Sequence, residues 1–145
     1  MTTTTARPAD PNCIFCKIVA GHVPCWKLYE DDQVLSFLDI GPLSEGHCLI
    51  IPKSHHETID QMTGEQVAAC AKLIPALSRA VRETTGAPGW NVLQNNGPYS
   101  GQAVGHVHFH IIPRRQADNL GYRWPAGKLE KEAAERLSTE IKRRL

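Results

Sequence analysis

The run His106-Val107-His108-Phe109-His110-Ile111-Ile112-Pro113 constrains this chain more than any other part of it. Polar and apolar residues alternate with period two, the period of an extended strand whose successive side chains face opposite ways. Val107, Phe109 and Ile111 then share one face, suited to a core. His106, His108 and His110 share the other, roughly 6–7 Å apart in succession. Three imidazoles are costly to bury without partners, so this face is expected to line a polar site. The strand is expected over His106–Ile112, stopped by Pro113.

The rest of the sequence supplies a sheet for this strand. Asn12–Ala20 reads as a short helix with Asn12 as N-cap and Gly21 as its stop. Trp26–Glu30 and Val34–Leu38 flank the turn signal Asp31-Asp32 and predict a hairpin. Gly46–Ile51 is a short apolar run that suits a strand buried on both faces. Thr63 opens a long helix, with Thr63 and Gln66 in a capping-box spacing. Val67, Leu73, Ile74, Leu77 and Val81 lie near one face of it. Pro75 is expected to kink or break it, and Gly86–Gly89 to end it. Trp90–Leu93 reads as a strand and Asn95–Gly105 as a loop. Leu129, Ala133, Leu137, Ile141 and Leu145 recur every four residues and predict a terminal helix with a narrow apolar stripe. The expected class is α+β: a mainly antiparallel sheet of about five strands, packed with one long helix and shorter terminal helices. The 145 residues make one domain, 12–145, behind a polar tail, 1–11, read as disordered.

Composition excludes several functions. Lys and Arg total 16 against 15 Asp and Glu, a net charge of +1, so no global field is available to hold a nucleic acid backbone. No run approaches the ~20 apolar residues of a membrane span. The N-terminus lacks the apolar core of a signal peptide, which favours the cytoplasm. Five cysteines, an odd count without an export signal, argue for reduced thiols, some of them on a metal.

Three readings of the histidine face compete. The first is a purely structural row. The second is a single metal bound by all three, but the outer pair would stand roughly 13 Å apart along a regular strand. Ligands at about 2 Å from one ion allow two of the three at most. The third gives them separate tasks, with a nucleophile in the middle. A neutral imidazole is a competent nucleophile near pH 7, provided its other nitrogen donates its proton to a fixed acceptor such as a backbone carbonyl. The preceding loop carries Gly97, Gly101 and Gly105, which let backbone N–H groups approach a phosphate. Two smaller signals stand open. Cys13-x-x-Cys16 has metal-ligand spacing but fits a redox pair as well. Asp39, between a strand and Gly41-Pro42, can accept ribose hydroxyls or simply cap the turn.

In order and spacing, CIFCKI, FLDI, GHCLIIPKSH and HVHFHIIPR resemble the histidine triad (HIT) family of nucleotide hydrolases and transferases, over about Cys13 to Pro113. The resemblance is to its Hint-like branch, with Asn95 where the dinucleoside-polyphosphate hydrolases carry Gln. It implies a HIT-like fold and cleavage of purine nucleoside 5′-monophosphate amides or esters. His108 would be the catalytic nucleophile and His110 would stabilise the transferred group. Asn95, Gly101, Ala103 and His110 would hold the phosphate. Asp39 would hold the ribose, with Phe15, Ile18, Phe37 and Ile40 around the base. A structural zinc would sit on Cys13, Cys16, His55 and His106, with no organic cofactor. The resemblance further implies a homodimer, in which Trp124 reaches toward the partner's site. His47 would give outer support, while His22 and His56 read as surface residues. Ala103 departs from the Ser or Thr common in the family, which leaves the leaving group open. Two alternatives remain: a diadenosine polyphosphate hydrolase, and a non-catalytic zinc-containing nucleotide sensor.

Overall fold

The sheet begins at a turn set by Asp31, whose Oδ1 accepts from the N–H groups of Gln33 and Val34, both at 2.8 Å. This turn joins β1 (Lys27–Glu30) to β2 (Val34–Leu38) as an antiparallel hairpin. β3 (Cys48–Pro52) adds to β2 with Val34 opposite Pro52 and Leu38 opposite Cys48. β4 (Gly89–Gln94) pairs with β5 (Phe109–Arg114), and β5 pairs with β3. The order is β1-β2-β3-β5-β4, antiparallel throughout. The computed structural model describes residues 8–121 and 125–145.

Each face of the sheet has its own core. Val34, Cys48, Ile50, Val107, Phe109 and Ile111 pack with Cys70, Leu77 and Val81. These last three come from α2 (Gly64–Ala71) and α3 (Ile74–Thr85). On the other face Leu35, Phe37, Leu49 and Ile51 pack with Cys13, Phe15 and Cys16, around α1 (Ile14–Val19). β3 feeds both clusters, which is why its apolar run is unbroken. The architecture is α+β, an antiparallel five-stranded sheet packed with helices, as the sequence patterns led one to expect.

Several boundaries differ from expectation. The cap of α1 is Cys13 and not Asn12: its Sγ accepts from Cys16 N–H at 3.4 Å. The long helix is two helices. Both halves of the Thr63–Gln66 capping box are present, but α2 stops at Ala71 and α3 restarts at Ile74. Pro75 sits in the first turn of α3, where its missing N–H costs nothing, whereas in a continuous helix it would clash with the preceding turn. α4 (Lys131–Arg144) forms but buries none of its residues; Leu137, Ile141 and Leu145 stay exposed.

The most consequential difference concerns the histidines. β5 starts at Phe109, so His106 and His108 precede the strand. Val107 still faces the core, but its N–H donates to the His56 carbonyl at 2.8 Å, and His106 N–H donates to Val104 O at 2.9 Å. The backbone of 106–108 leaves the ladder while keeping the alternation of faces. Residues 1–7 of the expected tail, and Trp124, lie outside the described residues. Within that tail, Asp10 is tied down: its carbonyl accepts from Cys13 N–H at 3.1 Å and its Oδ1 from Asn12 N–H at 2.8 Å.

Candidate active site and metal centre

His108 is 4 % exposed and its Nδ1–H donates to the backbone carbonyl of His106 at 2.7 Å. A carbonyl can only accept, so the proton is on Nδ1 and the lone pair on Nε2. Phe15 presses on the ring in an edge-to-face contact at 5.2 Å and meets His106 in the same way at 5.8 Å. The ring is thus held by a hydrogen bond and by packing, and one nitrogen remains free.

His110 has the complementary arrangement. The N–H of Leu43 donates to His47 Nδ1 at 3.0 Å, which puts the His47 proton on Nε2. That Nε2–H donates to His110 Nδ1 at 2.8 Å, so His110 carries its proton on Nε2. The His108 and His110 rings lie 4.8 Å apart, centre to centre. A ring nitrogen with a lone pair therefore stands beside a ring that offers an N–H. Burial first, and then the neighbouring His108 and His47 rings, push the pKa of His110 down to about 4, which keeps it neutral near pH 7. Burial likewise lowers His47.

Cys13, Cys16, His55 and His106 bring one ligand atom each to within 4.8 Å of the others. His106 is fully buried, and its Nε2–H donates to the Pro52 carbonyl at 2.8 Å. This turns the Nδ1 lone pair to the cluster. Nδ1 lies 3.5 Å from Cys13 Sγ, 3.6 Å from Cys16 Sγ and 3.2 Å from His55 Nδ1, while Cys16 Sγ lies 3.3 Å from His55 Nδ1. Zinc bonds of about 2.0–2.3 Å give tetrahedral edges of roughly 3.3–3.8 Å. The donor set fits that ion in chemistry and size. A second group, Asp39, His47 and His110, also has metal-ligand types. Its 2.8 Å nitrogen separation is that of a hydrogen bond, and His47 Nε2 is already protonated, so it is a proton chain and not a metal centre. The thiols of Cys48 and Cys70 are pushed up to about 12 by burial and are inert packing groups.

A model of the HIT domain family matches residues 20–117. The chain belongs to the HIT family. An Arabidopsis thaliana protein named adenylylsulfatase HINT3 is 46% identical over 88% of this chain; the match spans 66% of that protein's own length, just under two thirds. Adenosine 5′-monophosphoramidase hnt1 of Schizosaccharomyces pombe is 45% identical, with 90% of this chain and 96% of that protein covered. A crystal structure of a HIT family member from Bacillus subtilis superposes with a TM-score of 0.87 at 42% identity, covering 92% of this chain and 97% of that one. A zinc-bound histidine triad protein from Mycobacterium smegmatis superposes at 0.71 with 36% identity, covering 91% and 94%.

The remaining expected positions divide. In this HIT protein Phe15 and Phe37 stack edge to face at 5.7 Å in the buried cluster beside His108, with Ile18 packed against it. Ile40 is 90 % exposed and lies outside that buried cluster. Asp39 Oδ1 accepts from Gly41 N–H at 2.8 Å, the turn-capping role, and Oδ2 lies 3.5 Å from His47 Nε2. Gly101 has φ +94 and passes so close to Asn95 that a Cβ there would sit 3.4 Å from Asn95 Nδ2. Ala103 is exposed two residues on. His22 is exposed as expected, but His56 is not a surface residue: it is 4 % exposed and its Nε2 hydrogen-bonds with Ser54 Oγ at 3.1 Å. Its carbonyl accepts from the N–H of Val107 in the histidine segment. Sequence reasoning missed Gln102, whose side chain crosses to another segment; the available signal was one long carboxamide amid small residues.

Proposed function

We propose that this HIT protein is a nucleotide hydrolase that cleaves purine nucleoside 5′-monophosphate amides or esters through a nucleotidyl group carried on His108. The observation that carries this reading is the His108 Nδ1–H bond to the His106 carbonyl, which leaves Nε2 as the free base of the ring. The names of the plant and yeast relatives support a nucleotide hydrolase.

In this reading the His108 Nε2 lone pair forms a bond to the α-phosphorus as the bond to the leaving nitrogen or oxygen breaks. The ring gains positive charge, which the His106 carbonyl stabilises through Nδ1–H. His110 Nε2–H hydrogen-bonds the leaving atom, which takes its proton from solvent as it departs. Water then attacks phosphorus, the bond to His108 Nε2 breaks, the attacking water's proton passes to solvent, and the nucleoside monophosphate leaves with His108 restored. Asn95 and the N–H groups of Gly101 and Ala103 hold the phosphoryl oxygens, where charge develops. Asp39 keeps acceptor capacity beyond its turn bond and takes the ribose, while Phe15, Ile18 and Phe37 give the base an apolar neighbour; Ile40 could serve only at the rim.

Cys13, Cys16, His55 and His106 would hold a structural zinc, whose four protein ligands leave no position for water. When bound it supplies a cross-link between α1, the turn after β3 and the segment before β5. A homodimer belongs to this reading too: Trp90, Val92 and Leu93 expose apolar surface on the edge strand β4. So does action in the cytoplasm, which the five unpaired cysteines suit. Among the described residues no helix is long and apolar enough to cross a membrane.

The test is mass spectrometry of protein quenched during turnover of an adenosine phosphoramidate, with diadenosine polyphosphates and nucleotidyl sulfates run beside it. A nucleotidyl adduct on His108 and a loss of ~10³-fold or more in His108→Ala are expected. Undiminished turnover by His108→Ala ends the proposal.

A further inference from the structure

Among the polar side chains near the histidines, Gln102 has the most complete set of partners that the chemistry above leaves unused. Its Oε1 accepts from Gly97 N–H at 2.6 Å. Its Nε2–H groups donate to the Glu57 carbonyl at 2.6 Å and to the Val104 carbonyl at 3.0 Å. Both donors of the carboxamide and its oxygen are therefore engaged. The three partners belong to two segments, the loop that contains Gly101 and Ala103 and the turn that follows His55.

That loop needs holding. Gly97, Tyr99 and Gly101 all have left-handed backbone, with φ of +77, +69 and +94. Tyrosine adopts this conformation at a cost that the surroundings must offset. Ser100 Oγ–H donates to Gly97 O at 2.8 Å, but that bond stays within the loop. Gln102 reaches outside it. The Val104 carbonyl it engages also accepts from His106 N–H at 2.9 Å, so the same tie ends at the base of the histidine segment. A parallel stitch runs from Val107 N–H to the His56 carbonyl at 2.8 Å. The loop and the turn are sewn together on both sides of the histidine segment.

We propose that Gln102 is a positioning residue for the phosphate grip: its carboxamide fixes the loop in the one conformation in which the Gly101 and Ala103 N–H groups can hold a phosphoryl group. The inference rests on the nucleotide reading above and adds to it a residue that touches neither substrate nor metal. Only glutamine fits the position. Glutamate has the same shape but no donor, and would set a carboxylate against the carbonyls of Glu57 and Val104. Asparagine is a methylene too short to span from Val104 to both Gly97 and Glu57. Alanine leaves Gly97 N–H and the Glu57 carbonyl to water, and the Val104 carbonyl with His106 N–H alone.

A simple staple and a positioning residue differ in what they protect. Losing a staple weakens the whole protein and every ligand alike. Losing a positioning residue weakens whatever binds through phosphate and spares what binds through the nucleoside. Calorimetric titration of AMP and of adenosine into wild type, Gln102→Glu and Gln102→Ala, each loaded with zinc and checked for metal content, separates the two. Wild type is expected to prefer AMP. Gln102→Glu is expected to lose about tenfold or more in AMP affinity, with adenosine changed less than about twofold and zinc retained. Gln102→Ala should lose less, since water can replace the missing partners, and it gives the same comparison if the glutamate variant does not fold. kcat/KM for an adenosine phosphoramidate should fall with AMP affinity. An unchanged AMP-to-adenosine ratio in both variants, or an equal loss of both ligands, overturns the role of Gln102 while leaving the nucleotide reading standing. A wild type that neither prefers AMP nor turns over the phosphoramidate overturns both.

Discussion

The carbonyl oxygen of His106 lies 2.7 Å from Nδ1 of His108, while the His106 ring presents its own Nδ1 to Cys13, Cys16 and His55. One residue thus belongs to the proposed zinc centre through its ring and to the proposed nucleophile through its backbone. Disturbing either end should be felt at the other.

Zinc removal should therefore impair more than stability. Untagged protein should hold about one zinc per chain, and Cys16→Ser should hold far less. Stripping the metal should lower the melting temperature by roughly 10 °C, as a loss of ~3 kcal/mol does in a domain this size. kcat should fall as well, because His106 loses its anchor. Elemental analysis and melting curves of the two proteins check this; a Cys16→Ser protein with full metal content would refute the ligand set.

His47 should matter for rate although it is set back from the reacting atoms. Its Nε2–H fixes the His110 proton on Nε2. His47→Gln loses that geometry and should reduce kcat by about 10–100-fold, less than the ~10²–10⁴-fold that a general acid or base itself contributes. KM should change little. Steady-state kinetics decide it, and an unchanged kcat means that the orientation of His110 does not depend on His47.

Acid should destabilise this protein over a defined window. His110 is lowered from 6.5 to about 4 by burial, so the folded state binds its proton less readily than the unfolded chain does. Its contribution is complete above about pH 6.5 and is lost as the pH falls toward 4. Urea unfolding between pH 8 and 4 should show stability flat at first and then declining. His110→Gln should decline less steeply; an identical slope would mean that other groups set it.

Phe15 ties the apolar cluster to the His108 ring. Phe15→Ala should cost ~3–5 kcal/mol in chemical denaturation, the range for a buried phenylalanine. Phe15→Leu, which keeps most of the volume, should cost much less yet still slow turnover, because the edge contact on the nucleophile is gone. Leucine restoring full activity would reduce Phe15 to core.

Ala103 is exposed, and serine fits there without strain. Ala103→Ser adds a hydroxyl beside the proposed phosphate grip. It should change the ratio of kcat/KM between amide and sulfate leaving groups by several-fold, with stability within ~0.5 kcal/mol. A panel of nucleotidyl substrates measures the ratio.

Much of this arrangement was legible in the residues. Period-two and helical patterns located the strands and helices, since burial selects one face at a time. The Cys/His cluster was legible through its family motif, because CxxC by spacing alone does not reveal that His55 and His106 converge on it. What failed had physical causes. Alternation predicts which way a side chain points, but not whether its backbone is in a ladder, so β5 was drawn from His106 when it begins at Phe109. The base positions follow from the family resemblance, which does not set exposure: Phe15 and Phe37 are buried, while Ile40 is 90 % exposed. The polar neighbours of His56 suggest a surface position, but its backbone is tied to Val107, far away in sequence, and its side chain is 4 % exposed. Gln102 escaped because its partners are carbonyls and an amide, which every residue has and no motif encodes.

The late start of β5 carries a trade of its own. Extending its pairing back to His106 would add rungs to the sheet, but it would turn the carbonyl that now faces an imidazole toward a neighbouring strand. Regularity and reactivity compete for the same three residues. In such a molecule, substitutions that stiffen this edge should make a sturdier protein and a slower one.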